Sequence, residues 1–559
     1  MPRFDRSSSL EALKSKTFDL LIIGGGMTGT GVAVDAVTRG LSVALIEKDD
    51  FASGTSSKSS KMVHGGLRYL QQREFGLVYE NLHERQRLLT NAPHLISPLP
   101  FLIPLFGKDG VVSKAVARSY RTALVLYDAT GGVRIGKRHK EITRDEVVAH
   151  FPSLNVSHLV AGFLYYDARG DDARVALTLA RTAADHGAVV ANYIKASGFL
   201  HDSTGRVTGA TVTPNAPGEK GAPFDVNARV VVNAAGVFAD EVSWLEEGVV
   251  AETITPAKGV HLSVRADRLP CDIAAVIPVP KDKRSIFVVP WEDSPYVYLG
   301  TTDTAYEGSL DDPRCNADDV AYILNAVNAL TSAELTVDDV TGVWAGLRPL
   351  IKAQAGKKVS ARTADLSRRH KVETSPEGVV LITGGKWTTY RQMAEDAMDE
   401  VAEQLPGVGK CATRSLALHG SPGKKKITLA GLRPEISAYL VHRYGTDASD
   451  VATLIADDPS LGEPLISSLP LLGVDAIYAV RCEMALTLSD ILSRRTRSQL
   501  QNSRAAREIA HKVAELVAHE LGWKKTRKEK EIKAFVSLID DELASAGLPE
   551  TVRSDKISV

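Results

Sequence analysis

The sequence predicts an α/β protein with three parts: a parallel-sheet domain, a mainly antiparallel β domain inserted into it, and an all-α domain at its C-terminal end. Three observations support this fold class. A strand–helix–strand pattern occupies residues 18–47, alternating strands begin near residue 253, and helical periodicity dominates after residue 426. The length of 559 residues also favours several hydrophobic cores, because single cores rarely grow beyond roughly 250–300 residues.

The parallel-sheet domain begins with an aliphatic run at residues 18–24 that ends at glycine. Such a run, without polar alternation, is typical of a strand that is buried on both faces. Small residues at 28–39 predict a helix that Gly40 terminates, and residues 41–47 predict the next strand. These elements form a βαβ unit, and an apolar strand at 228–235 extends its sheet.

A change to alternating strands marks the second domain. Residues 286–290 and 296–300 are two such strands, and the turn residues between them predict a hairpin. The apolar strand at 379–384 and the helix at 391–405 then return the chain to the first domain. We therefore predict a parallel-sheet domain of residues 1–95, 155–252 and 370–408, an antiparallel domain of residues 96–154 and 253–369, a linker at 409–426 and a helical domain at 427–559.

Composition argues against several classes of protein. The formal net charge of −1 offers no general attraction for nucleic acid. The four cysteines lie far apart and form no CxxC pair, so we predict no zinc, iron–sulfur or other metal site. Residues 1–16 lack the apolar region of a secretory signal, and no apolar run approaches the roughly 20 residues that span a bilayer. We expect a cytoplasmic protein whose membrane contact, if any, is peripheral.

A glycine-rich turn lies between the first predicted strand and helix. It fits the GxGxxG pattern and consists of Gly24, Gly25, Gly26, Met27, Thr28 and Gly29. In this pattern the glycines permit a tight turn, close approach of a pyrophosphate and close helix packing, and the helix N-terminus faces the phosphate charge. Glu47 ends the next strand and is placed to accept a hydrogen bond from a ribose hydroxyl, with Lys48 beside it. The pattern predicts a dinucleotide site for FAD or NAD rather than NADP.

Two further strand-to-glycine turns favour FAD over NAD, because a flavin extends across the sheet and needs additional backbone contacts. They occupy residues 231–236 and 382–389, and hydroxyl side chains follow Gly54 on another loop. We therefore predict an FAD-binding Rossmann-type, glutathione-reductase-like domain. The cofactor contacts predicted from these three segments are Thr55, Ser56, Ser57, Ala235, Gly236, Gly385, Lys386 and Thr388.

Several longer motifs resemble one family of flavoproteins. They are GTSSKSSKMVHGGLRYL at 54–70, YDARGDDAR at 166–174, KGVH at 258–261, GTTD at 300–303, GLRPL at 346–350, SRRH at 367–370, GGKWTTYR at 384–391 and EMALTLSDILSRRTR at 483–497. Across nearly the whole chain the sequence resembles the FAD-dependent, aerobic, quinone-linked glycerol-3-phosphate dehydrogenases of the D-amino-acid-oxidase-like superfamily.

The resemblance implies non-covalent FAD and oxidation of sn-glycerol 3-phosphate at C2 to dihydroxyacetone phosphate. It also implies electron delivery to a respiratory quinone, with the protein bound peripherally to the inner face of the cell membrane. We further expect a homodimer. His64 and Gly65, in the His-Gly-Gly turn, are expected to pack against the flavin without covalent attachment.

The expected substrate carries nearly two negative charges, so its pocket should contain arginine and lysine side chains. By resemblance, Arg348, Arg368 and Lys386 contact the substrate, and Arg68 and Tyr69 lie beside it near the flavin face. Each arginine taken alone is more often a surface charge or a partner in an ion pair. The motif around each one is what favours a role in the site.

Oxidation of a secondary alcohol also requires a base for the hydroxyl proton. His261, on a predicted strand of the second domain, corresponds to the histidine of the family's KGxH motif and is our expected base. Arg348 could instead stabilise the developing alkoxide while His261 only orients it. The sequence leaves this choice open.

Two alternatives concern the reaction. A glycerol-phosphate oxidase shares these motifs and passes electrons to oxygen, but such oxidases carry an insertion that the short segment between Leu347 and Ser367 does not contain. A flavoprotein for another small anionic substrate is the second alternative.

For membrane contact the candidate is the basic run from Trp523 to Lys530, although a solvated helix face explains such a run equally well.

Overall fold

The computed structural model describes residues 4–67, 69, 74–107, 114–219, 221–247, 253–279, 284–352, 369–423 and 425–551. Two predicted site residues, Arg68 and Arg368, lie outside these ranges, as does most of the segment between Leu347 and Ser367.

The described strands are β1 (Thr17–Ile23), β2 (Val43–Ile46), β3 (Met62–Val63), β4 (Ile96–Phe106), β5 (Lys140–Thr143), β6 (Leu159–Gly170), β7 (Val189–Ala191), β8 (Ile194–His201), β9 (Val207–Pro214), β10 (Phe224–Asn233), β11 (Ile254–Arg265), β12 (Ala274–Pro278), β13 (Ser285–Pro290), β14 (Tyr296–Gly300), β15 (Thr304–Ala305), β16 (Val340–Ile351), β17 (His370–Thr374) and β18 (Val380–Gly384). The described α-helices are α1 (Arg6–Ser15), α2 (Met27–Thr38), α3 (Phe75–Asn91), α4 (Lys114–Ala129), α5 (Arg144–His150), α6 (Asp172–Asp185), α7 (Ala239–Glu247), α8 (Ala317–Asn328), α9 (Tyr390–Gln404), α10 (Pro434–Tyr444), α11 (Ala448–Asp457), α12 (Gly473–Glu483), α13 (Ser498–Gln501), α14 (Ser503–Ala518) and α15 (Lys525–Ser545).

A largely parallel sheet forms the centre of the first domain. Its strands follow the order β17-β18-β10-β1-β2-β7, and β9 and β8 continue it from β10. β1 pairs in parallel with β10 and with β2. Alternate side chains of β1 enter two cores: Leu20 and Ile22 join the core that contains α2, and Leu21 and Ile23 join the core on the other face. The aliphatic run forms a strand here because both of its faces are buried.

The second sheet is mainly antiparallel, and its strands follow the order β15-β11-β14-β13-β12-β4-β6-β3. β16 also pairs with β11, and β5 pairs with β6. The predicted hairpin is present as β13 and β14. The strands β4 and β12 pair in parallel, which the sequence did not indicate.

Two predicted domain boundaries need correction. The segment 155–252 was assigned to the parallel-sheet domain, but β6 within it pairs with β4 along its whole length in the second sheet. β3, within the segment 1–95, also pairs with β6. The sequence did not reveal this because β6 carries a continuous apolar run that suits either sheet, and only pairing with distant strands selects one.

The C-terminal part is helical, as predicted, but it is not packed as a separate body. Side chains of α14 and α15 share one hydrophobic core with β11, β14 and β16 of the second sheet. α13 docks directly on that sheet, where Ser263 Oγ donates to the carbonyl of Leu500 at 2.7 Å. A Cβ at Gly342 would lie 2.3 Å from the same carbonyl oxygen, so close packing requires glycine there.

A buried ionic cluster joins the C-terminal helices to the first domain. The carboxylate of Asp50, which follows β2, accepts hydrogen bonds from Arg494 at 2.6 Å and from Arg495 at 2.6 and 2.8 Å. Burial by itself raises the pKa of this carboxyl, but the two guanidinium groups outweigh it and lower the pKa from 3.8 to about 2. The folded state is therefore stabilised by the ionised carboxylate, and this stabilisation is lost as the pH falls from about 4 towards 2.

We predict that Asp50→Asn destabilises the protein by about 3–5 kcal/mol, because it removes the buried carboxylate that the guanidinium groups of Arg494 and Arg495 share. Urea unfolding followed by circular dichroism measures the loss. Asp267→Asn is the matched control, because the pair of Asp267 with Arg265 is about half exposed and should contribute less than about 1 kcal/mol. Equal unfolding midpoints for the two variants would contradict the prediction.

Candidate functional site

A cavity of about 830 Å³ lies where the carboxyl ends of the parallel strands face the second sheet. Residues at the ends of β1, β2, β10 and β18 line one side, and residues of β11 and β16 line the other. Open α/β sheets bind ligands at this edge, and the volume lies within the range of roughly 300–1,000 Å³ that is usual for cofactor and ligand sites.

The glycine-rich turn forms one end of the cavity. Gly24 has a φ of +119°, and a Cβ there would lie 2.6 Å from the carbonyl oxygen of Ala234. A Cβ at Gly29 would lie 1.9 Å from the carbonyl oxygen of Gly24, which explains the need for glycine where α2 packs on β1. Gly24, Gly26, Met27 and Thr28 line the cavity, whereas Gly25 and Gly29 lie behind the lining and shape the turn.

Glu47 and Lys48 line the same end of the cavity. The carboxylate of Glu47 accepts from the backbone N–H of Gly25 at 2.7 Å and from that of Asp49 at 2.9 Å. Burial raises the pKa of this carboxyl to about 7, although the two backbone hydrogen bonds oppose the rise. The ammonium of Lys48 lies 2.5 Å from a carboxylate oxygen of Asp311 and 3.5 Å from the centroid of the Phe238 ring.

The hydroxyl loop after Gly54 borders the turn. Ser56 Oγ accepts from the backbone N–H of Met27 at 2.8 Å, and Thr55 Oγ1 donates to the carbonyl of Leu347 at 2.6 Å. Both residues line the cavity. Ser57 does not, because its side chain is buried and bonds back to the carbonyl of Gly54.

The predicted contacts at the other end of the cavity are also largely brought together. The lining residues there include His64, Tyr69, Ala235, Gly236, Gly385, Lys386 and Thr388. Lys386 Nζ lies 3.8 Å from the centroid of the Tyr69 ring. Gly65 lies behind the lining, where its N–H donates to Tyr127 Oη at 2.9 Å and an added Cβ would lie 2.5 Å from Leu82.

His261 lies on β11 and faces the cavity from the second sheet. Its Nε2 and Ser60 Oγ are hydrogen-bonded at 2.8 Å, and its ring stacks on Trp344 with centroids 4.9 Å apart. The cross-strand partner of His261 is Gly300, where a Cβ would lie only 2.2 Å from His261 Cδ2. Burial, and then the positive charges of Arg348 and Lys61, hold the pKa of His261 well below 6.5. The imidazole is therefore neutral at neutral pH.

Arg348 reaches the cavity from β16, the other neighbour of β11. Its guanidinium lies 3.3 Å from a carboxylate oxygen of Asp303 and donates to the carbonyl of Thr302 at 3.2 Å. A Cβ at Gly259 would lie 2.5 Å from the guanidinium, so this glycine leaves the space that Arg348 occupies. The KGVH and GLRPL motifs therefore place a neutral imidazole and a cation on one wall.

Sequence reasoning assigned no role to three residues that support this wall: Ser60, Lys61 and Asp172. Lys61 Nζ lies 2.9 Å from Asp172 and donates to the carbonyl of Ser57 at 3.0 Å. Burial, and then the charge of Arg497, together lower the pKa of Lys61 to about 8, although Asp172 opposes the shift. All three residues lie within quoted motifs, so the signal was present, but their partners are distant in sequence.

The chain matches two family models. The family model described as FAD dependent oxidoreductase matches residues 19–391, and the model described as C-terminal domain of alpha-glycerophosphate oxidase matches residues 411–528. A protein of Mycobacterium bovis named glycerol-3-phosphate dehydrogenase 2 is 40% identical over 99% of this chain and 93% of its own length. A Rattus norvegicus protein named glycerol-3-phosphate dehydrogenase, mitochondrial, is 37% identical over 96% of this chain and 75% of its own.

The chain belongs to the FAD-dependent glycerol-3-phosphate dehydrogenase family. It is therefore an oxidoreductase whose cofactor is FAD. The solved glycerol-3-phosphate dehydrogenase of Bacillus halodurans, which is complexed with FAD, has the same fold. It is 28% identical, with a TM-score of 0.75 over 99% of this chain and 98% of that one. The predicted fold class is confirmed.

The geometry of the cavity in this chain also fits FAD. Helix α2 begins at Met27, directly after its N-cap residue Gly26, which has no side chain to cap the helix. Apart from the N–H of Met27, which donates to Ser56, the first backbone N–H groups are therefore left to a ligand, and such an N-terminus suits a pyrophosphate. Glu47 lies at the end of β2, where the adenosine half of a dinucleotide is held in such folds. Left-handed backbone at Gly236, Gly384 and Gly385 lets main chain approach the far end of the cavity.

We predict that Gly300→Ala raises the pKa of His261 towards 6.5, because the added Cβ displaces the ring from its buried place beside Trp344. Selective isotope labelling of histidine and NMR titration of the FAD-loaded protein measure the change. Gly198→Ala is the control, because a Cβ there meets no atom within 4 Å. An unchanged titration in Gly300→Ala, with full flavin content in both variants, would count against this packing role.

Proposed function

We propose that the protein oxidises sn-glycerol 3-phosphate to dihydroxyacetone phosphate and passes the electrons to a respiratory quinone. One observation carries the proposal: a neutral His261 and the Arg348 guanidinium lie together on the wall of a cavity that fits FAD. The names of the relatives, which are glycerol-3-phosphate dehydrogenases over nearly the full chain, support the choice of substrate.

The substrate would bind between the two domains with its phosphate near cationic side chains. Arg348 and Lys386 both line the cavity, and Lys58 lines it between the glycine turn and β16. Guanidinium and ammonium groups suit a phosphomonoester because charge-assisted hydrogen bonds are stronger than neutral ones. The resemblance adds Arg68 and Arg368, which remain predictions.

His261 would accept the proton of the C2 hydroxyl. Its neutral form can take a proton, and Nε2 lies on the side of Ser60, which lines the cavity, whereas Nδ1 is buried without a hydrogen-bond partner among the described residues. We therefore place proton transfer at Nε2. When bound, FAD supplies the two-electron acceptor for the hydride that leaves C2. Arg348 would stabilise the negative charge that develops on the substrate oxygen.

We predict that anaerobic addition of glycerol 3-phosphate bleaches the flavin absorbance of the purified protein. His261→Asn should slow this bleaching at least about 100-fold, because it removes a general base, with little change in substrate dissociation constant. Arg348→Ala should raise that constant roughly 10- to 100-fold, because it removes a charge-assisted contact, and should also slow bleaching at saturating substrate, because it removes the charge that would stabilise the developing oxyanion. Stopped-flow absorbance over a range of substrate concentrations separates the two effects.

Two surface variants serve as controls for the titration. His150→Ala and Arg265→Ala change a partly exposed histidine and an exposed arginine, each paired with an aspartate outside the cavity. Both should behave as the unchanged protein does. Loss of bleaching in all variants would indicate damage to the fold, whereas equal bleaching by a small anionic hydroxy acid would favour the alternative substrate class.

The electron acceptor is the finer part of the proposal. We predict that reduced enzyme reacts with a soluble quinone much faster than with oxygen. Mixing anaerobically reduced protein with each acceptor in a stopped-flow instrument, and assaying peroxide, measures this preference. Rapid reoxidation by oxygen with one peroxide per turnover would instead support the oxidase alternative. The model that matches the C-terminal region is named after such an oxidase.

A quinone acceptor requires contact with a membrane, and we propose that this contact is peripheral. No helix within the described ranges is both long and apolar enough to cross a bilayer. The cytoplasmic location and the homodimer stay predictions.

A further inference from the structure

Exposed aliphatic and cationic side chains lie together on α4 and the turn that follows it. Val125 and Leu126 on α4 are 51% and 40% exposed, and Val133 in the turn is 38% exposed. Arg118 lies seven residues before Val125, on the same helical face, because residues three, four and seven apart share one side of a helix. Together with the exposed cations at 134, 137 and 138, we call this surface the α4 patch.

The charge of this stretch differs from that of the whole protein. Residues 114–140 contain seven lysine or arginine residues and one acidic residue, Asp128, so their formal charge is +6. The whole chain carries −1. Asp128 is itself paired with His139 at 2.7 Å. The surface is therefore a local concentration of positive charge on a nearly neutral protein.

Most of these cations are not neutralised by neighbours. Arg121 pairs with Glu141, and Lys140 pairs with Glu146 at 2.8 Å. By contrast, Arg118, Arg134 and Arg138 form no ion pair within the described part of the chain. These three cations can therefore face a negatively charged partner without first breaking an internal contact.

The basic run that the sequence offered for membrane contact behaves differently. In α15, Arg527 pairs with Glu531 at 2.7 Å, and Lys528 pairs with Glu515. The guanidinium of Arg527 lies 5.7 Å from the centroid of the Trp523 ring, which is half-buried. Lys525 also lies 4.0 Å from Glu529, so three of the five cations in the run face a carboxylate. The described residues of the run include no exposed large apolar side chain, so the structure favours the α4 patch over it.

The α4 patch is also close to the cavity. Tyr127, on the buried side of α4, accepts a hydrogen bond from the N–H of Gly65 at 2.9 Å. The neighbouring residue His64 lines the cavity. A surface that binds a membrane through α4 would therefore hold the cavity next to a lipid-soluble electron acceptor.

We infer that the α4 patch is the surface on which this protein rests on an anionic lipid membrane. The aliphatic side chains would enter the boundary between head groups and acyl chains, and the cations would face lipid phosphates. The exposed apolar side chains of the patch are aliphatic, whereas a single-stranded nucleic acid would require aromatic stacking platforms. The inference rests on the peripheral membrane contact proposed above and names the surface responsible for it.

Vesicle flotation of the FAD-loaded protein tests the inference. The vesicles consist of phosphatidylcholine alone or of phosphatidylcholine with phosphatidylglycerol. The triple variant Arg134→Glu, Lys137→Glu, Arg138→Glu should lower the partition onto the acidic vesicles at least about 100-fold, because each cation near such a surface contributes roughly a five-fold factor. The double variant Val125→Ser, Leu126→Ser should lower it as well.

The matched control reverses the same number of charges in the C-terminal run: Lys524→Glu, Lys525→Glu and Lys530→Glu, all exposed residues. This variant should bind acidic vesicles as the unchanged protein does. Retained binding in both patch variants, loss in the control alone, or equal binding to both vesicle types would overturn the inference. Patch-dependent binding to a single-stranded oligonucleotide without vesicle binding would overturn it too.

A dye-coupled assay keeps this inference separate from the proposed function. The patch variants should oxidise glycerol 3-phosphate with a soluble dye at the unchanged rate and with full flavin content, since no patch residue lines the cavity. The unchanged protein could bind acidic vesicles through the patch while glycerol 3-phosphate does not bleach its flavin. That result would contradict the proposed substrate but support the proposed lipid-binding surface. The two patch variants change different residues, so if one of them is unstable, the other still tests the inference.

Discussion

The cavity wall that carries His261 depends on one buried carboxylate, that of Asp172. One of its oxygens accepts from Lys61 Nζ at 2.9 Å and also from Arg497, and the other accepts from the backbone N–H of Ser59 at 2.9 Å. The side chain is fully buried, and a buried charge is tolerated only when it is paired and hydrogen-bonded. This contact joins the loop before β3, the start of α6 and the chain that follows Arg495.

The loop held by Asp172 in turn contacts His261 and Tyr298. Its Ser60 hydroxyl bonds His261, and the carbonyl of Ser60 accepts from Tyr298 Oη at 3.0 Å. Arg497 also donates to the carbonyl of Ser57 at 3.1 Å. The C-terminal helices therefore shape the site without reaching it, since every described lining residue of the cavity precedes residue 394. The motif at 483–497 therefore supports the cavity through Arg497, although it lies outside the cavity lining.

The cavity wall keeps the imidazole of His261 uncharged beside two cations, Arg348 and Lys61. Trp344 on one side and the missing side chain of Gly300 on the other enclose His261, so burial is the main reason for its low pKa. Arg348 lies nearby because Asp303 pairs with its guanidinium and because Gly259, which has no side chain, leaves room for that group against the sheet. Glycines in the family motifs thus leave space for the side chains opposite them, in addition to permitting the backbone turns that bind a dinucleotide.

The sequence by itself determined the βαβ unit, the GxGxxG turn, the hairpin and the helical C-terminal part, because each has a local pattern of hydrophobic spacing or turn residues. It also singled out His261, Arg348 and Lys386, which the fold brings to one cavity. Only the tertiary structure assigned β6 to the second sheet, placed Ser57 and Gly65 behind the cavity lining, and showed that Asp172 meets Arg497 across 325 residues of sequence. Strand pairing and buried ion pairs join segments that are distant in sequence. A local sequence pattern does not show which distant strand or charged residue will be the partner.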